Sequence, residues 1–209
     1  KDARSLIANK LGIPYYKTWT NPEAKKALRL MSLRTLYVGL SDGARTDIFR
    51  RDNEGILTNE QIVASSEISD AKWGSLAKKL KERLEQSGFP EAESSFERIC
   101  LIDDFTGSGS TLIRPDGDKW DGKIFKFYEQ NFERKEISQE CHIQIHHYLA
   151  SKKAKDSIEE ALPEFEATIS KFKFKTSYSW VLSPAPSVIM SDKSDPELLK
   201  WMDDHYDKS

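Results

Sequence analysis

The sequence has few or none of the features that mark a secreted, membrane-bound or nucleic-acid-coating protein. It contains only two cysteines, Cys100 and Cys141, which are too few for a disulfide framework. No apolar run approaches the length needed to cross a bilayer, and no basic segment followed by an apolar one opens the chain. The formal net charge is only −2, so no overall field attracts polyanions. These absences predict a cytoplasmic protein with no membrane partner.

The composition fits a highly charged globular protein. Of its 209 residues, 32% are charged and 38% are hydrophobic, which is enough for one sizeable core. We expect a single domain over residues 1–209. Within it, residues 1–32 form an N-terminal helical elaboration, residues 33–182 form the core, and residues 183–209 form a C-terminal tail with a final helix.

Strand and helix patterns alternate along the core. The clearest helix is residues 70–87, where Trp73, Leu76 and Leu80 fall on one face. This alternation predicts an α/β fold with a mostly parallel sheet flanked by helices. Pro115 and the neighbouring Asp and Gly residues predict a hairpin or loop insertion with Trp120 at its tip. The expected strands are residues 33–40, 99–102, 141–150 and 171–182, and further helices are expected at 22–31, 123–135 and 151–169.

Residues 99–111 are the stretch around which the rest is organised. Residues 99–102 are apolar and predict a buried strand whose carboxyl end is marked by Asp103 and Asp104. Six small residues then follow, with two glycines and four hydroxyls: Thr106, Gly107, Ser108, Gly109, Ser110 and Thr111. Such a loop can aim several N–H and O–H donors at one anion, and a helix beginning near Ser110 would add its positive end.

Two acids beside a phosphate loop repel the phosphate unless the ligand also carries donors. A ribose resolves this conflict, because carboxylates accept hydrogen bonds from its hydroxyls while the loop holds the 5′-phosphate. A bound Mg²⁺ would lower the repulsion further. The alternative is a solvated turn after a core strand, with no ligand.

Residues 100–111 resemble the phosphoribosyl-pyrophosphate motif of the type I phosphoribosyltransferases. The resemblance implies that this fold binds phosphoribosyl pyrophosphate or a nucleotide. It gives Asp103 and Asp104 the catalytic role of orienting the ribose and holding Mg²⁺ through water, and it gives residues 106–111 the phosphate. Purine-specific members often carry an acidic base three residues after the second acid, and Gly107 stands there. Support for purine salvage is therefore lost.

A second loop, residues 41–45, follows the first expected strand. Gly43 lets the backbone approach a ligand closely, and Arg45 can pair bidentately with phosphate. The family resemblance implies that this loop binds pyrophosphate, while a simple β-turn is an equal alternative when the segment is read alone. Its members are Ser41, Asp42, Gly43, Ala44 and Arg45.

Several other residues have a structural interpretation that we prefer. Cys100 reads as a small buried hydrophobe. His146 and His147 lie on opposite faces of a strand and cannot easily share a metal. Arg50 and Arg51 occupy the place of the family's mobile substrate loop, or else form a solvated edge.

The two loops together are similar to divergent phosphoribosyltransferase-like proteins of bacterial conflict systems, including retron-type antiphage modules. That similarity implies an effector, or toxin, restrained by a partner protein or nucleic acid. Three hypotheses follow in order of preference. They are an active transferase or nucleotide-glycosidic enzyme, a non-catalytic ligand-sensing module on the same fold, and a nucleic-acid-associated component with a vestigial phosphate loop.

Overall fold

A central parallel sheet organises the protein, as seen in a computed structural model that describes residues 2–182. The sheet has five strands in the order β2-β1-β3-β6-β7, and every neighbouring pair is parallel. The predicted C-terminal helix lies outside the described residues. The sheet strands are β1 (Thr35–Gly39), β2 (Ile62–Val63), β3 (Phe96–Thr106), β6 (Ile137–Ser151) and β7 (Phe172–Leu182).

Helices cover both faces of this sheet, which confirms the α/β prediction. Three of them, α4, α5 and α6, build the main apolar core against one face, with Trp73, Phe127 and Phe165 fully buried. Residues of α1 and α2 line cavities against the other face. The helices are α1 (Asp2–Leu11), α2 (Pro22–Leu33), α3 (Thr46–Asp52), α4 (Asp70–Gln86), α5 (Lys123–Asn131) and α6 (Lys152–Thr168).

The strand order creates a switch point between β1 and β3. The chain moves outward from β1 to β2 on one side and from β3 to β6 and β7 on the other. This is the 2-1-3-4-5 order of a doubly wound sheet if the sheet strands alone are counted. Loops leaving the carboxyl ends of the two strands at such a point diverge and leave a crevice where ligands bind.

Element ends depart from the sequence predictions in physically clear ways. β1 begins at Thr35 and not at residue 33, because α2 continues to Leu33, whose side chain joins the core. β3 does not end at Ile102 but runs through both aspartates to Thr106, paired with β6 as far as Ala150. Neither α3 nor β2 was predicted, since both are too short to give a clear apolar period.

The predicted insertion is a two-stranded hairpin of β4 (Arg114–Asp116) and β5 (Lys119–Asp121). Its tip is Gly117 and Asp118, so the placement of Trp120 at the tip is wrong. Trp120 instead packs its ring 5.5 Å from that of Phe165. An aromatic side chain of this size loses more apolar contact at a tip than against the core.

Among residues 2–182, no helix combines the length and apolar character required to span a membrane.

Candidate functional site

The two predicted anion loops meet at the switch point. β1 and β3 are neighbours, with Gly39 opposite Ile102, so the segments that follow them lie side by side. The Ser41 hydroxyl donates a hydrogen bond to the Asp103 carboxylate. A Cβ atom added to Gly43 would lie 2.3 Å from Oδ2 of Asp104, so the backbone there is in close contact with that carboxylate. Loops separated by about sixty residues therefore form one surface.

Asp103 lies where the two loops meet and is buried, with only 5% of its side chain exposed. Its Oδ2 accepts from the Lys123 ammonium at 2.9 Å, and its Oδ1 accepts from the Ser41 hydroxyl and from the amide of Asp104. Lys123 is the first residue of α5. A buried carboxylate needs such partners, because an unpaired charge there would be costly.

Asp104 has a different environment, because it is exposed to solvent. β3 continues through both acids, and successive side chains of a strand point to opposite faces. The Phe105 amide donates to Oδ1 of Asp104 at 2.8 Å, while Oδ2 lies against Gly43. The structure thus does not present the two carboxylates together, and Asp104 alone offers an open one.

Residues 107–111, after the end of β3 at Thr106, form bends and turns, and no helix begins near Ser110 to add its positive end. The hairpin occupies the place of the helix, and Arg114 donates to the Ser110 carbonyl at 2.8 Å. Gly109 has φ +80° and packs so tightly on α6 that an added Cβ would be 3.1 Å from the Ala154 carbonyl oxygen. The loop is therefore fixed against the start of α6.

Several donors of this loop remain available to a ligand. Gly107, Ser108 and Thr111 are exposed, and their amides donate to no acceptor among the described residues. The hydroxyls of Ser108 and Ser110 are hydrogen-bonded to each other at 2.7 Å, so one of the two O–H groups remains free to donate to a ligand. Thr106, by contrast, is buried and contributes chiefly to the strand end. The arrangement can bind an anion through a small set of neighbouring N–H and O–H groups.

Arg45, the last residue of the 41–45 loop, has an unusual backbone conformation. Its backbone is left-handed, with φ 48° and ψ 44°, directly after a 3-10 turn over Asp42–Ala44. Non-glycine residues seldom adopt this region, and residues that do cluster at functional sites. The guanidinium is exposed, and its Nε lies 3.6 Å from Oδ1 of Asp47, a weak ion pair. Arg45 can therefore turn towards an incoming anion.

His147 is buried. The sequence predicted only that its side chain lies on the opposite face of the strand from that of His146. It lies beside Asp103 in the sheet register and is only 1% exposed. Neither ring nitrogen has a hydrogen-bond partner in the described part of the chain. Burial lowers the pKa of His147, and the nearby Asp103 charge opposes that effect. The imidazole is held neutral in a place where its polarity is poorly satisfied.

Neither cysteine is poised for thiolate chemistry. Cys100 and Cys141 are both free, and burial raises the pKa of each thiol to about 12. This agrees with the structural role preferred for Cys100.

Sequence reasoning missed three residues that shape the site. Lys123 pairs with Asp103, Arg114 holds the Ser110 carbonyl, and the Ser151 hydroxyl donates to the Gly107 carbonyl at 2.5 Å. Ser151 did carry a signal, since it is the N-cap of α6 and hydroxyl residues prefer that position. The other two lie in or after the hairpin, whose path a linear pattern does not reveal.

No protein-family model matches the sequence, and comparisons with curated proteins and with solved structures likewise return no match. The site's chemistry therefore has to be argued from its own geometry.

We predict opposite outcomes for alanine at two glycines near the site. A Cβ at Gly39 would lie 2.5 Å from the Ala64 carbonyl oxygen, which is backbone and cannot move aside. Gly39→Ala should cost about 1–3 kcal/mol of unfolding free energy, as overpacking does. The three atoms nearest to a Cβ at Gly43 belong to the exposed Asp104 side chain, which can rotate away with the loss of its hydrogen bond from the Phe105 amide, so Gly43→Ala should cost less, about 1 kcal/mol. Urea denaturation measures both; equal losses would mean that the crevice is packed differently.

We predict that His147 makes the fold less stable as the pH falls. Its folded pKa is lowered, so between an unfolded pKa of about 6.5 and the folded value the unfolded chain binds more protons. Stability should therefore decrease from pH 7 to pH 5. In His147→Gln this slope should be smaller, whereas His142→Gln should reduce it less, because the pKa of His142 is also lowered but that side chain is far less buried. Urea denaturation across this range gives the slopes, and equal slopes in wild type and His147→Gln would contradict the burial argument.

Proposed function

We propose that this chain is a phosphoribosyltransferase-like protein that binds a ribose 5-phosphate ligand, either phosphoribosyl pyrophosphate or a nucleotide, at the switch point between β1 and β3. The observation that carries the proposal is the meeting of the two loops there, through the contacts of Ser41 with Asp103 and Gly43 with Asp104. Two anion loops in contact can hold a ligand with two phosphate groups, one at each loop.

The ligand's 5′-phosphate is assigned to residues 106–111. The exposed amides of Gly107, Ser108 and Thr111 point to this assignment, as do the paired hydroxyls of Ser108 and Ser110. Exposed N–H groups of a tight turn bind phosphate oxygens because they are donors that lack a protein acceptor. The pyrophosphate is assigned to residues 41–45, where Arg45 supplies a positive charge.

The two aspartates take separate roles in this proposal. Asp104, the exposed one, accepts hydrogen bonds from the ribose hydroxyls. Asp103 acts as a positioning residue, because its oxygens are already used by Ser41 and Lys123. It orients the first loop and keeps the Lys123 ammonium near the developing charge of a departing pyrophosphate.

The residues present fit Mg²⁺ only in part. A cation bound jointly by Asp103 and Asp104 is disfavoured, since Lys123 already neutralises Asp103 and the two acids leave opposite faces of β3. Asp104 can still hold a hydrated Mg²⁺ through one of its waters. When bound, the ion would neutralise charge on the pyrophosphate.

A non-catalytic sensing module on the same fold is the second candidate. The observation that favours it is the ion pair of Asp103 with Lys123, which removes one of the two carboxylates that the motif supplies to the ribose. Such a module would bind the ligand without releasing pyrophosphate. The antiphage effector role, and a restraining partner protein or nucleic acid, stay predictions from family resemblance.

The test is calorimetric titration with phosphoribosyl pyrophosphate in the presence of Mg²⁺. We expect binding, and we expect Asp104→Asn to weaken it about 10- to 100-fold, which corresponds to losing charged hydrogen bonds worth roughly 1.5–3 kcal/mol. The matched control is Asp116→Asn, an exposed aspartate on the hairpin, which should change affinity less than about twofold.

A pyrophosphate-release assay on the same samples separates the candidates. Release that stops in Asp104→Asn supports the enzyme, and binding without release supports the sensing module. If wild type binds neither this ligand nor a nucleoside monophosphate, while it binds RNA or DNA with a steep salt dependence, the proposal is wrong and the nucleic-acid hypothesis is favoured.

A further inference from the structure

A second cleft lies on the face of the sheet opposite the main apolar core, far from the switch point. It runs between α1, α2 and the amino-terminal halves of the strands, and consists of three cavities of about 360, 460 and 390 Å³. Arg98 and His142 line all three and therefore stand at their junction. Arg98 precedes Asp104 by six residues on β3, a separation of about 20 Å at 3.3 Å per residue.

The floor of the cleft is a row of nitrogen-bearing side chains. Arg98, His142 and Lys173 are directly opposite one another on β3, β6 and β7. Neighbouring parallel strands lie about 4.8 Å apart, so the row is short enough for one ligand to contact more than one member. Burial and the nearby charge of Arg98 lower the pKa of His142, which leaves a neutral imidazole beside the guanidinium.

Arg98 differs from Arg34, at the end of α2, in having no hydrogen-bonding or ion-pair partner among the residues that the structure describes. Arg34 is saturated, since it donates to the Ser95 carbonyl and hydroxyl and pairs with Glu97. Arg98 is half-buried, yet within residues 2–182 it makes neither a hydrogen bond nor an ion pair. A partly desolvated guanidinium has five donors and binds carboxylate or phosphate well.

The charge around the cleft is unevenly distributed. The acids that line it, Glu97 and Glu140, belong to the cavity towards Lys10. The cavities on the α2 side and on the β7 side have no acidic lining residue among the described ones. Lys173 pairs with Glu166 at 3.4 Å, and Lys10 and Lys175 each line one of the three cavities, so Arg98 is the cation that all three cavities share.

The walls of the cleft are apolar. Leu28 and Met31 of α2, together with Ala3 of α1, line the cavity beside Arg98. Its volume of about 360 Å³ suits a small molecule, because ligand pockets begin at about 300 Å³. A cationic floor beneath an apolar wall complements a ligand with an acidic end and an apolar body.

We infer that this cleft is a second binding site, and that it takes a small organic anion, a carboxylate or a phosphate monoester, with its acidic group on Arg98 and its apolar group against Leu28 and Met31. The inference does not rest on the function proposed for the switch point.

The test uses 8-anilinonaphthalene-1-sulfonate, an anion with an apolar body, and follows its fluorescence on binding to the whole chain. We expect saturable binding, which Arg98→Met should weaken at least tenfold. Ala3→Trp, a change on the exposed side of α1, should fill the cleft and weaken binding to a similar extent. The matched control is Lys81→Met, which removes an exposed cation from α4, outside both sites, and should leave the affinity within about twofold.

Competition identifies the ligand chemistry. Phenylacetate and phenyl phosphate should displace the probe, and the stronger of the two tells whether a carboxylate or a phosphate is preferred. The neutral 2-phenylethanol should not displace it. Unchanged affinity in both Arg98→Met and Ala3→Trp, or equal displacement by the neutral compound, would overturn the inference; if Arg98→Met does not fold, Ala3→Trp decides.

Discussion

The contact on which the candidate site depends is the one between Asp103 and its two partners. The carboxylate accepts from Ser41, in the loop after β1, and from Lys123, at the start of α5. Three segments far apart in the sequence are thereby fixed at the carboxyl edge of the sheet. A carboxylate with 5% of its side chain exposed is stable only when it is paired. Separating the loops would leave the buried Asp103 charge without its partners, and this free-energy penalty holds the loops together.

This pairing determines what the rest of the site can do. Because Asp103 is committed to the protein, Asp104 is the carboxylate that can meet a ligand, and the exposed residues Gly107, Ser108, Ser110 and Thr111 follow it closely in the chain. Contacts within the protein hold this loop, since Gly109 packs on α6 and the Ser151 hydroxyl donates to the Gly107 carbonyl. A site whose donors are already oriented avoids part of the entropic cost of binding.

Periodicity predicted the larger elements well, because a buried face leaves a regular trace in the sequence. The helix containing Trp73, Leu76 and Leu80 was predicted to within a residue of α4, and the aromatic strand after residue 171 is β7. The loops at 41–45 and 106–111 were each predicted to follow a strand, and it is the pairing of β1 with β3 in the structure that makes them neighbours.

The sequence did not reveal how the two aspartates divide. Asp has a low strand propensity, so two consecutive aspartates predict the end of a strand. β3 nevertheless continues through both, because the Lys123 ammonium pairs with the buried carboxylate of Asp103. That partner lies twenty residues away, beyond a hairpin. His147 was equally hidden, since its burial beside Asp103 follows from the register of β3 and β6 and not from any local pattern.

The sheet thus presents two chemically distinct surfaces, the crevice proposed to bind phosphate at its carboxyl edge and the cleft floored by Arg98 near its amino ends. The most direct measurement of the central claim is a crystal structure of the chain with phosphoribosyl pyrophosphate and Mg²⁺. We expect the 5′-phosphate within hydrogen-bond distance of the Ser108 and Thr111 amides, the ribose hydroxyls at Asp104, and the Asp103 pair with Lys123 intact. Ligand density elsewhere, with the crevice between the two loops empty, would contradict the claim.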